Sequence, residues 1–172
     1  METEIASLFD SIVNLSDPSL ALGAQDRLSC LGEPVAAHCR QVLRNRNASP
    51  REVTTAIELL ATFENERDPR LIAQYLLHRE PKVRRSAVLG LTGHFDVRGI
   101  AEVAVEVLRN EQELSNRILL VRLLTKTRLR RYRRALDVLE KNTKVQELKE
   151  ATPYGALADA INKARTLLIQ DA

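Results

Sequence analysis

Glu80-Pro81-Lys82-Val83-Arg84-Arg85-Ser86-Ala87-Val88-Leu89-Gly90-Leu91 decides how the rest of this 172-residue chain is read. Pro81 suits the first turn of a helix, where its missing N–H would have had no partner, and an oxygen-bearing residue just before it can accept from the orphan amides of that turn. All six prolines follow such a residue: Asp17-Pro18, Glu33-Pro34, Ser49-Pro50, Asp68-Pro69, Glu80-Pro81 and Thr152-Pro153. Each pair marks an expected helix start. Pro18, Pro50 and Pro81 are separated by 32 and 31 residues, the length of one two-helix unit, which points to a helical repeat array.

Aligned on those three prolines, alanine recurs six residues on, as Ala24, Ala56 and Ala87, and leucine ten residues on, as Leu28, Leu60 and Leu91. A register starting near Glu113 continues with Leu119 and Leu123 at the same offsets. A small residue at a fixed place lets neighbouring helices approach, and a leucine one turn later fills the space beside it. Between these segments, Val97, Ile100, Ala101, Ala104, Val107 and Leu108 follow helical spacing, as do Leu71, Ile72, Tyr75 and Leu76. No stretch alternates like a strand between hairpin turns, so the fold class is all-α. The expected helices lie near 3–14, 18–31, 34–45, 50–64, 69–78, 81–93, 97–109, 112–125, 128–141 and 155–169. Short polar connections join them, and a single domain over 1–172 follows.

Residues 80–91, followed by Gly93 and Asp96-Val97-Arg98-Gly99-Ile100-Ala101, resemble a HEAT repeat of the short bacterial type, also found in the phycobilisome-lyase-like group. The likeness rests on the acidic-Pro start, the Val-Arg-Arg step and the Ala-x-x-x-Leu pattern. It covers 68–109 best, 17–67 less closely, and thins after Glu113. The resemblance implies a right-handed α-α superhelix, an α-solenoid of about five hairpins whose second helices line a concave face. The repeats would span about 1–32, 33–66, 67–95, 96–127 and 128–172, the last an atypical cap.

Composition narrows the function. Apolar residues make up 44% of the chain and charged residues 28%, with three Phe, three Tyr and no Trp, which suits an aliphatic core and not a disordered chain. The tryptophans that HEAT-like DNA glycosylases set against a damaged nucleotide are missing. Cys30 and Cys39 are too few for a disulfide framework and are expected as reduced thiols. With Glu2, Glu4 and Asp10 near the start and no basic leader, and apolar runs broken by arginine, the expectation is a cytoplasmic protein with no membrane span. His38, His78 and His94 fall on separate expected helices without a metal motif. His38 is expected to face solvent beside buried thiols. Gly90 reads as a close helix contact, Gly93 as a C-terminal cap, and Gly99 as lying inside the next helix. No catalytic residue, metal or cofactor is expected.

One constellation stands out. Arg122, Lys126, Arg128, Arg130, Arg131, Arg133 and Arg134 place seven positive charges in thirteen positions without an acid; the whole chain is +3, so the remainder carries about −4. Leu129, Tyr132, Ala135, Leu136 and Leu139 share one helix face, leaving the arginines to water or to an anionic partner. A solvated face paired locally by Asp137 and Glu140 and a phosphate- or carboxylate-binding surface both fit. A smaller basic group, Arg79, Lys82, Arg84 and Arg85, opens the HEAT-like helix, and the family's use of such arginines implies bridges between repeats. The expected function is a non-enzymatic protein–protein interaction scaffold that binds a protein or peptide through the second-helix face, with Arg51, Lys82, Arg85, Asn116 and Arg122, and through the basic segment. The alternatives are nucleic-acid binding through phosphate contacts to Arg122–Arg134, and, by resemblance alone, an accessory subunit of a lyase-like modification system.

Overall fold

A computed structural model describes residues 1–14, 18–63, 65, 68–92, 94, 99–126 and 160, with the backbone alone given at 18–22 and 125–126. Among the described residues the fold is all-α: α1 (Glu2–Asn14), α2 (Pro18–Cys30), α3 (Glu33–Arg44), α4 (Pro50–Leu60), α5 (Asp68–Ala73) running on into a 3-10 turn (Gln74–Leu77), α6 (Pro81–Gly90), α7 (Ile100–Asn110) and α8 (Leu114–Lys126). The helices expected over 128–141 and 155–169, and Thr152-Pro153, lie outside the described residues, apart from a helical Ala160. No described helix is long and apolar enough to cross a membrane. The helices group into two compact units, Met1–Gly90 and Leu91–Ala172, and each is taken by itself.

In the first unit α1 packs on α2, α3 on α4, and α5 with its 3-10 turn on α6, while α1 also meets α3, α3 meets α5, and α4 meets α2 and α6. The aligned sequence positions form the interior of this arrangement. Ala24, Ala56, Ala87, Leu28 and Leu60 are all buried, and Leu91, at the same offset, is buried too. Gly90 carries the tightest approach: a Cβ there would lie 3.2 Å from Ile57 Cγ2 and 3.3 Å from Ala61 Cβ. In the second unit α7 packs on α8 and buries Ile100, Ala104 and Leu108, the positions its helical spacing nominates.

Helix starts follow the prolines, but by two different devices. At α4 the expected cap is complete: Ser49 Oγ accepts from the Glu52 N–H at 3.3 Å, and the Glu52 carboxylate accepts from the Ser49 N–H at 2.6 Å. At α3 the cap residue is Gly32, at φ 66°, and not Glu33; a left-handed turn that glycine adopts without penalty brings the chain into the helix. Gly99, at φ 96°, does the same before α7, so it precedes that helix instead of lying inside it, and the helix starts at Ile100 rather than 97.

Helix ends fall short of expectation where the backbone tightens. Thr62 and Phe63 donate to Leu59 and Leu60 in three-residue turns, and the Thr62 hydroxyl donates to the Leu59 carbonyl at 2.7 Å, so α4 stops at Leu60 instead of 64. α5 gives way to 3-10 geometry after Ala73, and that turn ends where His78 goes extended, at ψ 143°, ahead of Glu80-Pro81.

Gly90→Leu should therefore lower stability by about 1–3 kcal/mol, since a side chain has to be forced between α4 and α6. Gly23→Ala, in a helix and with nothing within 4 Å of the added carbon, should raise it by about 0.5–1 kcal/mol. Paired denaturant melts of the two variants check both signs.

Candidate partner-binding surface

Three of the expected contact residues come together on the first turns of α4 and α6. Arg51 follows Pro50 and Lys82 follows Pro81 at the same offset, with Arg85 one turn further, and all three are exposed. The two helices run in the same direction. Ser86 Oγ donates to Glu58 at 3.0 Å, and four residues on Gly90 meets Ala61, so the two N-terminal ends sit side by side. Arg51 makes one stretched bond, Nη1 to the Val13 carbonyl at 3.4 Å, and neither Lys82 nor Arg85 forms an ion pair among the described residues.

Arg122 is exposed on α8, in the second unit, and Lys126 ends that helix. Arg128, Arg130, Arg131, Arg133 and Arg134 lie outside the described residues. Asn116 is a correction: it is 1% exposed, and its amide donates to the buried Glu111 carboxylate at 3.3 Å. The other Glu111 oxygen accepts from the Glu113 N–H at 3.0 Å. Asn116 thus steadies a buried carboxylate at the start of α8, and the repeat register that nominated it as a surface residue does not hold for its side chain. Arg84 is also committed locally. Its Nη1 donates to the carbonyls of His78 and Arg79, at 2.9 and 2.8 Å, and so fastens the turn that leads into its own helix.

A polar cluster that sequence reasoning missed lies between α3 and α5. Arg40 grips Asp68 with a two-pronged bond, Nε to Oδ1 at 2.7 Å and Nη2 to Oδ2 at 2.9 Å, and Nη1 reaches Glu33 at 2.5 Å. The side chains of Asp68 and Arg40 are 4% and 16% exposed, that of Glu33 70%. Glu33 and Asp68, read from sequence as helix caps, instead turn their carboxylates onto this guanidinium. The hydrogen bonds that Arg40 donates to Asp68 and then to Glu33 push its pKa up, and the bond from Arg40 holds the Glu33 carboxyl below its ordinary value of 4.5. Glu33 sits seven residues, two turns, before Arg40, a spacing visible in the sequence; Asp68 is 28 residues away and gives no local signal. A cleft of about 410 Å³ opens over the cluster, lined also by Ala37, Arg44, Asn65 and Leu71. With its central cation already held by two carboxylates, the cluster serves as a clamp between hairpins and not as a charge offered to a ligand.

Cys30, His38 and Cys39 do not share an environment. Cys30 is exposed and Cys39 buried, which corrects the expectation of two buried thiols. His38, expected to face solvent, is half-buried, its ring edge-on to Phe9 at 5.0 Å. Burial pushes the Cys39 thiol up to about 12, with the nearby Arg40 charge opposing in part. Among the described residues no three His, Cys, Asp or Glu side chains converge as a metal site would require.

Three expectations follow from this geometry. Asp68→Ala leaves a largely buried guanidinium with only its exposed Glu33 partner and should cost about 2–4 kcal/mol, while the paired Arg40→Met/Asp68→Leu replacement should recover most of that loss in equilibrium melts. The Glu33 arm of the clamp is fully present above its ordinary pKa of 4.5 and is lost as pH falls through the lowered folded value, so Glu33→Gln should flatten that part of the acid-stability profile. Native protein should also release one thiol, Cys30, to a thiol reagent at neutral pH and the second only on unfolding. Comparison with family models, with curated proteins and with solved structures finds no match to this chain.

Proposed function

We propose that this chain is a non-enzymatic interaction module built as a HEAT-like α-solenoid, with its hairpins wound as a right-handed superhelix and its second helices offered to a protein or peptide partner. The observation that carries the reading is the repetition itself. Behind Pro18, Pro50 and Pro81 the same small and large apolar positions are buried, while the residues one place past Pro50 and Pro81, Arg51 and Lys82, are both exposed cations. A chain that spends its recurring positions on packing gains one surface whose side chains repeat from hairpin to hairpin, and such a surface suits extended recognition better than chemistry on a small substrate.

The test is partner capture. Immobilised wild-type chain and the Arg51→Glu/Lys82→Glu/Arg85→Glu variant, matched by melting temperature, are exposed to the same cell lysate. The proposal expects the captured protein to fall at least about tenfold in the variant, since like-charge contact costs a few kcal/mol at a cationic contact site. Equal capture by both would remove this face as the binding surface.

A further inference from the structure

We infer that the edge where α3 turns into α4 and α5 turns into α6 is a docking strip for an acidic segment of a partner protein; this deepens the partner-binding reading above and rests on it. The strip is assembled from residues some thirty positions apart. Arg44 and Arg46 flank Asn45 at the end of α3, Arg79 precedes α6, and Arg51, Lys82 and Arg85 open the second helices; all six are exposed. Specific bonds hold the two turns against each other. The Tyr75 hydroxyl donates to the Leu43 carbonyl, next to Arg44, and the Tyr75 ring stacks on His78, next to Arg79. Arg51 reaches the Val13 carbonyl, which brings the end of α1 to the same edge. Neither turn is slack: Asn45 Oδ1 accepts from the Asn47 N–H at 3.0 Å, and Arg84 ties His78 and Arg79 into place.

What makes the strip a candidate is uncompensated charge. Arg40 holds Glu33 and Asp68, Arg27 lies near Glu4, and Arg109 pairs with Glu106, while Arg70 and Arg122 are exposed cations with no ion pair among the described residues. Among the described residues none of the six strip cations forms an ion pair. Of the acids described next to these two turns, Glu52 is folded onto the Ser49 N–H and Glu80 stands exposed. Cations gathered on one edge repel one another, and each carboxylate laid among them relieves that repulsion while gaining a charge-assisted bond.

The charge distribution favours an acidic peptide over a nucleic acid. Residues 1–90 hold twelve Asp or Glu against eleven Lys or Arg, net −1, so the unit as a whole does not draw in a polyanion; the attraction is confined to the strip. Asp26 and Glu58 stay exposed further along the second helices, where the second strand of a duplex would meet them. Leu77, 68% exposed, stands two residues before Arg79 and gives an apolar foothold of the kind protein segments use. The Tyr75 ring, committed to His78 and Leu43, is not a platform for a base.

Fluorescence anisotropy with the full chain tests this, using a labelled peptide of repeated Glu-Glu-Leu units, a Lys-Lys-Leu control and a short mixed-sequence DNA duplex. The acidic peptide should bind at low salt, weaken as salt rises, and lose at least about tenfold in affinity with Arg44→Glu/Arg46→Glu/Arg79→Glu, three positions the capture variant leaves intact. The neutral Arg44→Gln/Arg46→Gln/Arg79→Gln version should lose less, and it stands in if the reversal does not fold. No acidic-peptide binding at low salt, affinity unchanged by both variants, tighter binding to the duplex, or a switch in oligomeric state with the reversal would each overturn the inference. Capture that depends on Arg51, Lys82 and Arg85 while the acidic peptide fails to bind would sink the strip alone and leave the scaffold reading standing.

Discussion

α4 and α6 touch along a seam of alanine, glycine and β-branched carbon, and the relative placing of Ser86, Glu58 and the cations that open the two helices follows from that seam. Ala56 and Ala87 leave the room, Gly90 closes to within van der Waals range of Ile57 and Ala61, and Leu60 fills what remains. Interiors of this density resist small displacements, so the relative height of the two helices is set. Once it is set, Ser86 falls opposite Glu58 and the first turns carrying Arg51 and Lys82 come level. The hydrogen bonds between helices add direction to an arrangement whose strength is apolar; each fully buried leucine contributes about 1.5–3 kcal/mol, against about 1 kcal/mol for a typical hydrogen bond.

Much of the fold could be read in the chain because its punctuation is local. Pro50 with Ser49 and Glu52 spells a capping box within four residues, and the structure forms it. The offsets of alanine and leucine behind the prolines name interior positions for the same reason: one helix's period decides them. Reading failed where a residue answers to something distant. Glu33 and Asp68 have the chemistry of caps, and a glycine one step earlier and an arginine from another hairpin took them elsewhere. Gly99 has the spacing of a helical residue, but its positive φ ends that possibility.

The candidate surface was legible to a different degree for each residue. Arg51, Lys82 and Arg85 inherit their exposure from the helical period, and so the repeat alignment finds them. Asn116 shows the limit of such alignment, because a polar side chain opposite a buried Glu111 is drawn inward whatever its register. Arg44, Arg46 and Arg79 form no dense basic run in the sequence. Their proximity is made by Tyr75 crossing to Leu43, a contact spanning 32 residues, and composition in a sliding window cannot register it. The dense run at 122–134, by contrast, is plain in composition alone.

The Arg40–Asp68 clamp has a kinetic side. It joins residues 28 apart, and neither partner is oriented until α3 and α5 each exist and have met. A bond that forms only after the folding barrier slows unfolding and leaves the folding rate unchanged, acting as a catch on the way out and not as a guide on the way in. On that footing the clamp bears on how long the second and third hairpins stay joined once formed, a rate that equilibrium melting does not convey.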